Sequence, residues 1–323
     1  MNVTLNTLGP ADVDAAAERL AGYVRRTPLL PGLGAPGRRP PDGSLLLKAE
    51  HLQHSGSFKL RGAANAVLAM GADRIVTGSS GNHGIALARL AAPLGVEVTV
   101  VMAAGASAAK AALIRALGGR TVSVPGGVAE RDHRARELAG ESGAAFVPSS
   151  DHELVIAGQG TVGAEVLAEV PDVETLYVPT GGGGLLAGVC LAAHGHRVRV
   201  VGVEPAATPR YARSLAAGHP VRLPPSDTVA DGLRAQQPGT VTFPVIRDRV
   251  DDLIAVSDPE ILAAAAFLRR LGIEAEPSGA VALAGALRAG RGAGRAVAIV
   301  SGGNTTAALT AAAATEPYLE EIS

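Results

Sequence analysis

The feature that most constrains this chain is a regular alternation of short runs rich in β-branched residues with Ala-rich segments of helical length. "RIVTGSS" leads into "GNHGIALARLAAPLG", "VEVTVVM" into "SAAKAALIRALGG", and "RTVSV" into "VAERDHRARELAGE". A strand joined to the next strand through a helix has to cross over, so three such units in succession predict a parallel sheet with helices on its faces. The pattern returns in "VIAGQGTVGAEVLAEV", "TLYVPT", "GGGGLLAGVCLAAHG" and "RVRVVGVEP", then in "LIAVS", "PEILAAAAFLRRLG" and "AVAIVSGG". The expected fold class is α/β throughout. Residues 218–244, rich in Pro and polar side chains, read as a long connection over a surface or an active site, and residues 31–43 as a loose loop.

Composition removes several classes of function. With 323 residues, 47% hydrophobic and 18% charged, the chain can build a substantial core in one large domain or two smaller ones. A net charge of -1 and 2% aromatic residues offer neither a basic footprint nor stacking rings, so no nucleic-acid partner is expected. No charged-then-apolar leader is visible and no apolar run approaches a membrane span, so the expectation is a cytoplasmic protein with no membrane partner. Cys190 is the only cysteine, which excludes an intramolecular disulfide, agrees with a reducing compartment and reads as a small core residue.

Lysine supplies the next signal. Only Lys48, Lys59 and Lys110 occur among 29 Lys plus Arg, so an ordinary solvated cation in this chain is arginine. Lys59 stands in "HSGSFKLRGA". A desolvated lysine amine becomes neutral and nucleophilic, as a guanidinium does not; the alternative is a surface lysine in a loop. Ligands of open parallel sheets sit beyond the carboxyl ends of strands. Three loops at such ends stand out: Gly78-Ser79-Ser80-Gly81-Asn82-His83-Gly84, Gly181-Gly182-Gly183-Gly184, and Ser301-Gly302-Gly303-Asn304. The four-glycine run opens a helix, whose first amides and dipole suit a phosphate. Its other reading is a flexible turn, at a cost in backbone entropy. The dinucleotide spacing Gly-x-Gly-x-x-Gly fails, because Leu186 takes the place of the third glycine. A nucleophilic lysine, a phosphate cradle, and hydroxyl and amide groups at neighbouring strand ends together call for a phosphorylated aldehyde, pyridoxal 5'-phosphate (PLP).

Seven stretches carry a resemblance to a known family: "SGSFKLRGAANAV", "SSGNHGIALA", "VIAGQGTVGAEVL", "VPTGGGGLLAG", "TVADGL", "EPSGAVALA" and "IVSGGN", in family order over about residues 20–305. The chain resembles the fold-type II PLP enzymes and, within them, the serine racemase and serine/threonine dehydratase group. The resemblance implies two parallel-sheet domains of the tryptophan synthase β-like architecture. Residues 1–72 and 150–323 form the large PLP-binding domain, and residues 73–149 a small mobile domain that closes over the site. It implies that Lys59 holds PLP covalently and, once freed by the substrate, takes the Cα proton. Phe58 packs beside the ring, Asn82 hydrogen-bonds the 3-oxygen, Gly181, Gly182, Gly183 and Gly184 hold the phosphate, and Ser301 faces the pyridine nitrogen. A neutral hydroxyl there favours prompt loss of a β-substituent, and is compatible with a second role as a helix cap. Ser79, Ser80, Gly81, Asn82 and His83 are implied to bind the substrate carboxylate, and in racemase-like members the serine matching Ser80 exchanges a proton on the face opposite the lysine. His83 has neither metal spacing nor a triad partner and reads as structural. His152 lies in a loop that departs from the family pattern.

Departures from the family fall around the substrate side. Ile85 stands where Gln is common, and the stretch from Val147 carries one extra residue. Racemase-like members often bind a divalent cation through a Glu and a later Asp near "EP". Glu204 matches the first and is the sole candidate ligand, while Arg210 takes the place of the second, which argues against an oxygen-rich metal site. The implied activity is ammonia loss from a small β-hydroxy amino acid of the serine, threonine or 3-hydroxyaspartate type, giving a 2-oxo acid, in a homodimer. Amino-acid racemisation on the same site is the first alternative. β-Replacement is another, although that branch usually carries Thr-Ser-Gly-Asn-Thr rather than "SSGNH". A non-catalytic protein that binds a phosphorylated ligand is the alternative from another class.

Overall fold

The computed structural model describes residues 8–32, 45–79, 81–290 and 294–308. Helix α1 (Pro10–Arg19) precedes strands β1 (Leu29–Pro31) and β2 (Leu45–Lys48), and α2 (Lys59–Met70) follows. The expected alternation then appears as β3 (Arg74–Gly78), α3 (Asn82–Leu94), β4 (Glu97–Ala103), α4 (Ala108–Ala116), β5 (Arg120–Val124), α5 (Val128–Ser142) and β6 (Ala145–Phe146). It continues with α6 (Glu153–Glu169), β7 (Thr175–Pro179), α7 (Gly184–Ala192), β8 (Arg199–Pro205), α8 (Arg210–Ala217), α9 (Thr242–Arg249), β9 (Asp252–Val256), α10 (Asp258–Arg270), α11 (Pro277–Ala289) and β10 (Ala296–Ile299).

The strands form two sheets. Six run in the order β1-β2-β10-β7-β8-β9 and four in the order β5-β4-β3-β6. Every neighbouring pair is parallel except β1 with β2. That antiparallel edge departs from the all-parallel expectation. In the larger sheet, α10 and α11 bury side chains such as Ile261, Leu268, Val281 and Leu283 on one face. Helices α6 and α7 bury Ile156, Val166, Leu186 and Val189 on the other. Central β7 and β10 are consequently buried at every position, which is why both read as continuous apolar runs. The smaller sheet is covered by α3 and α4 on one face and by α5 on the other. The cluster beneath α3 also takes in Leu60 and Val67 of α2 and Val155 of α6, so it continues into the elements that flank the larger sheet.

Two local differences have simple causes. The connection expected over 218–244 ends earlier, because α9 starts at Thr242 with Pro244 in its first turn, where a missing N–H breaks no helical bond. Most of the loop expected at 31–43 lies outside the described residues. Cys190 is a core residue, its thiol pushed up to about 12 by burial. Among the described residues no helix is long and apolar enough to cross a membrane.

Candidate active site

The carboxyl ends of β3, β7 and β10 carry the three loops singled out above, and hydrogen bonds tie the β10 loop to the segment that leads into α2 and, through Asn304, to the β3 loop. Phe58 N donates to the Ser301 carbonyl at 3.1 Å, Ser57 bridges Gly302, and Gly303 N donates to the Gly56 carbonyl at 2.9 Å. Asn304 Nδ2 donates both to Ser55 O (3.0 Å) and to Asn82 Oδ1 (2.9 Å), joining the ends of β10 and β3. Gly56 must be glycine: its φ is +71° and an added Cβ would collide with the Asn304 amide.

Lys59 is the first residue of α2, so its side chain projects from a pinned helix start. Its amine donates to the Ser149 carbonyl at 2.5 Å and lies 5.1 Å from the centre of the Phe58 ring. Burial, reinforced by the Arg131 guanidinium, pulls the amine down from 10.5 to about 8. The other two lysines face carboxylates. Lys48 pairs with Glu165 at 2.7 Å and Lys110 with Asp231 at 2.9 Å. Phe58 also leans on the apolar cluster of the larger sheet.

Asn82 opens α3, and its Nδ2 donates to Glu276 Oε1 at 2.5 Å. Glu276 is buried, and desolvation lifts its carboxyl from 4.5 to about 7 with Asp231 adding to the rise, against the pull of Lys110 and the Asn82 amide. Ser79 caps the same helix: its hydroxyl accepts from Gly84 N at 3.1 Å and from Gly81 N at 3.3 Å, while the amides of Asn82 and His83 have no carbonyl one turn back within the helix. Ser80 lies outside the described residues. His83 turns inward, its Nε2 3.2 Å from the Val147 carbonyl, and burial beside Lys59 and Arg131 lowers it to about 3. The imidazole is therefore neutral at physiological pH. His152 Nδ1 accepts from Leu154 N at the start of α6.

The glycine turn between β7 and α7 is built so that only glycine fits. Gly183 has φ +90°, and an added Cβ would run into the Tyr211 hydroxyl; one on Gly182 would meet Ser150 Oγ, and one on Gly184 the Ser150 carbonyl at 2.9 Å. Helix α7 begins at Gly184, so its first amides have no carbonyl one turn back. The Ser301 hydroxyl is buried and donates weakly to Ser278 O at 3.4 Å, which leaves its lone pairs available. A covered amine of lowered pKa, a turn that excludes any Cβ at a helix N-terminus, and a buried neutral hydroxyl fit the aldehyde, phosphate and ring nitrogen of PLP. Glu204, the candidate metal ligand, is engaged by the protein itself: its carboxylate accepts from Tyr211 N (2.9 Å) and Ala212 N (3.0 Å) and lies 3.7 Å from Arg210.

Asn304 was seen in the sequence only as the end of the third loop, and Glu276, Ser149, Ser150 and Arg131 were not singled out. Glu276 sits inside the quoted stretch "EPSGAVALA", and an acid directly before a proline that opens an Ala-rich segment of helical length was the available signal. Nothing in the sequence marks Arg131 among so many arginines.

Comparisons with known proteins show the chain's family. The family described as "Pyridoxal-phosphate dependent enzyme" matches residues 20–302. An L-threonine ammonia-lyase of Geobacter sulfurreducens is 40% identical over 308 residues, covering 90% of this chain and 74% of that protein. An L-threo-3-hydroxyaspartate ammonia-lyase of Saccharomyces cerevisiae is 38% identical, covering 85% and 86%. The solved structure of maize serine racemase superposes with a TM-score of 0.85 at 34% identity, covering 93% and 94%.

Proposed function

Because the chain belongs to the family of pyridoxal-phosphate dependent enzymes, we propose that it is an ammonia-lyase acting on a small β-hydroxy amino acid of the serine, threonine or 3-hydroxyaspartate type. The observation that carries the reading is the state of Lys59, a covered amine drawn down to about 8 whose partner is a backbone carbonyl rather than a carboxylate. Such an amine is a nucleophile toward an aldehyde and, when freed, a base near neutral pH. PLP, when bound, supplies an electron sink that acidifies the Cα–H bond of an amino acid.

This chain's own groups do the rest. The amides of Gly181–Gly184 and the start of α7 would hold the phosphate. Asn82, held by Asn304 and Glu276, would hydrogen-bond the 3-oxygen, Phe58 would pack beside the ring, and Ser301 would offer the ring nitrogen a neutral partner. Ser79, Gly81, Asn82 and His83 would bind the substrate carboxylate at the start of α3, with Ser80 assigned to the same role by resemblance. Lys59 takes the Cα proton, and the β-hydroxyl leaves as water. Hydrolysis returns one water, so the amino acid ends as a 2-oxo acid and ammonia with no net water consumed.

Residues 73–149 act as a small mobile domain in this proposal, supported by a separate four-stranded sheet and by the Lys110–Asp231 ion pair that reaches from α4 to the segment 231–233. A homodimer working in the cytoplasm is proposed with it: the family resemblance supports the dimer, and a single buried thiol suits a reducing compartment. Racemisation is the second reading, favoured by a serine at position 80, where racemase-like members carry the opposite-face group. Steady-state assays over a panel of β-hydroxy amino acids, with chiral analysis of the remaining substrate, separate the two. Equal amounts of 2-oxo acid and ammonia support the lyase; loss of optical purity without ammonia supports the racemase; no turnover of any member by cofactor-loaded protein refutes both.

A further inference from the structure

Behind the glycine turn lies a fully buried arginine that the chemistry above does not use. Arg210 Nη1 donates to Thr180 O (2.8 Å) and Gly181 O (2.9 Å), and Nη2 to Leu233 O (2.6 Å) and Thr208 Oγ1 (3.2 Å), with Glu204 Oε1 3.7 Å from Nη1. Three carbonyls, a hydroxyl and a carboxylate, all oxygens, thus converge on one positive group. This is the donor set a hard divalent cation takes. The next residue completes a bracket, because the Tyr211 hydroxyl reaches Gly182 O at 3.1 Å.

The bracket has a directional consequence. In a planar trans peptide the carbonyl and the following N–H point in opposite directions. Drawing the carbonyls of Thr180, Gly181 and Gly182 backward onto Arg210 and Tyr211 therefore aims the N–H groups of Gly181, Gly182 and Gly183 forward, away from the bracket. The hydrogen bonds to the Arg210 cation also polarise the Thr180–Gly181 and Gly181–Gly182 peptides and strengthen the amides of Gly181 and Gly182 as donors. Burial favours neutrality in both Arg210 and Glu204, yet a guanidinium does not deprotonate in proteins, so the positive charge stays.

We propose that Arg210 is a positioning residue, a built-in cation that aims and polarises the phosphate-binding amides of the glycine turn and fills the place of a divalent metal ion. The inference rests on the glycine turn holding the phosphate of PLP. Lysine cannot substitute, since an ammonium lacks the planar fork that spans two pairs of acceptors.

The test compares apoprotein affinities for PLP and for pyridoxal, which has the aldehyde and ring but no phosphate, followed by absorbance titration. In Arg210→Met and Arg210→Lys, PLP affinity falls by about tenfold or more while pyridoxal affinity stays within about twofold. Equal losses for both ligands, or no loss for PLP, overturn the proposal. A parent protein that binds PLP no better than pyridoxal refutes the phosphate reading of the turn itself, a separate failure. For the parent, millimolar Mg²⁺, Ca²⁺ or Mn²⁺ and excess chelator leave PLP affinity and the unfolding temperature unchanged; a clear gain with any of these ions overturns the claim that Arg210 replaces a metal, and needs no variant that has to fold. Arg210→Asp supplies a second carboxylate beside Glu204, and its PLP affinity becomes dependent on Ca²⁺ or Mn²⁺. Rescue of that variant by neither ion counts against an oxygen set suited to a cation.

Discussion

Replacing Lys59 with methionine should make the apoprotein more stable, although it removes the residue on which the chemistry turns. The amine falls from 10.5 in the unfolded chain to about 8 in the fold, chiefly because burial disfavours the ammonium. A shift of that size corresponds to about 3 kcal/mol at 1.36 kcal/mol per unit. The bond to Ser149 O returns about 1 kcal/mol, and partial exposure screens a further part, so Lys59→Met gains about 1–2 kcal/mol at pH 7. The pH dependence has a definite sign. Between about pH 8 and 10.5 the unfolded chain binds the proton that the folded chain has lost, so the parent gains stability as pH rises through that window and the methionine variant does not. The advantage of the variant therefore shrinks by about 1 kcal/mol between pH 7 and pH 9. Urea unfolding of both apoproteins at the two pH values, followed by circular dichroism, reads the difference. A variant no more stable at pH 7, or an advantage that does not change with pH, would refute the desolvated state of Lys59.

Other perturbations probe the remaining parts. Gly183→Ala forces an L residue to φ +90°, about 1–2 kcal/mol, and drives its Cβ into the Tyr211 hydroxyl, so PLP affinity falls by about tenfold or more; unchanged affinity in an equilibrium titration would sink the role of the turn. Ser80→Ala abolishes racemisation and deuterium exchange into the D-enantiomer but keeps ammonia release from the L-substrate, because elimination needs Lys59 alone on the Cα proton; full racemisation by the variant contradicts the opposite-face assignment. Glu276→Gln keeps an acceptor for Asn82 while removing a carboxyl raised from 4.5 to about 7. The parent loses stability as pH rises through that window, so the variant is about 2–3 kcal/mol more stable at pH 8 and the gap closes below pH 4.5; thermal unfolding at the two pH values checks it, and a constant gap would contradict the raised carboxyl.

Much of this architecture was legible because strand-helix alternation is a local property. β3 to α5 and β7 to β10 are visible as apolar runs and Ala-rich segments, and the loops at their carboxyl ends follow from the handedness and covering of parallel sheets. The β1–β2 pair was not legible, since three- and four-residue strands leave too short a period to read. Lysine scarcity by itself pointed to all three lysines equally; the stretch around Lys59 set it apart by resemblance, and packing separates them physically: Lys48 and Lys110 end on carboxylates, Lys59 on a carbonyl. Glu276 and Arg210 act through partners 194 and 29–30 residues away, contacts that no local pattern encodes. Arg210 was visible in the sequence only as a missing carboxylate; its positive role appears once the carbonyls of Thr180 and Gly181 are seen to end on it.

The central claim, that Lys59 is the residue that joins PLP and drives the chemistry, is tested most directly by borohydride reduction of the holoprotein followed by peptide mapping. The expected result is a single pyridoxyl label on Lys59, the lysine whose amine meets no carboxylate. A label on Lys48 or Lys110, or a holoprotein that takes up no label at all, would contradict it.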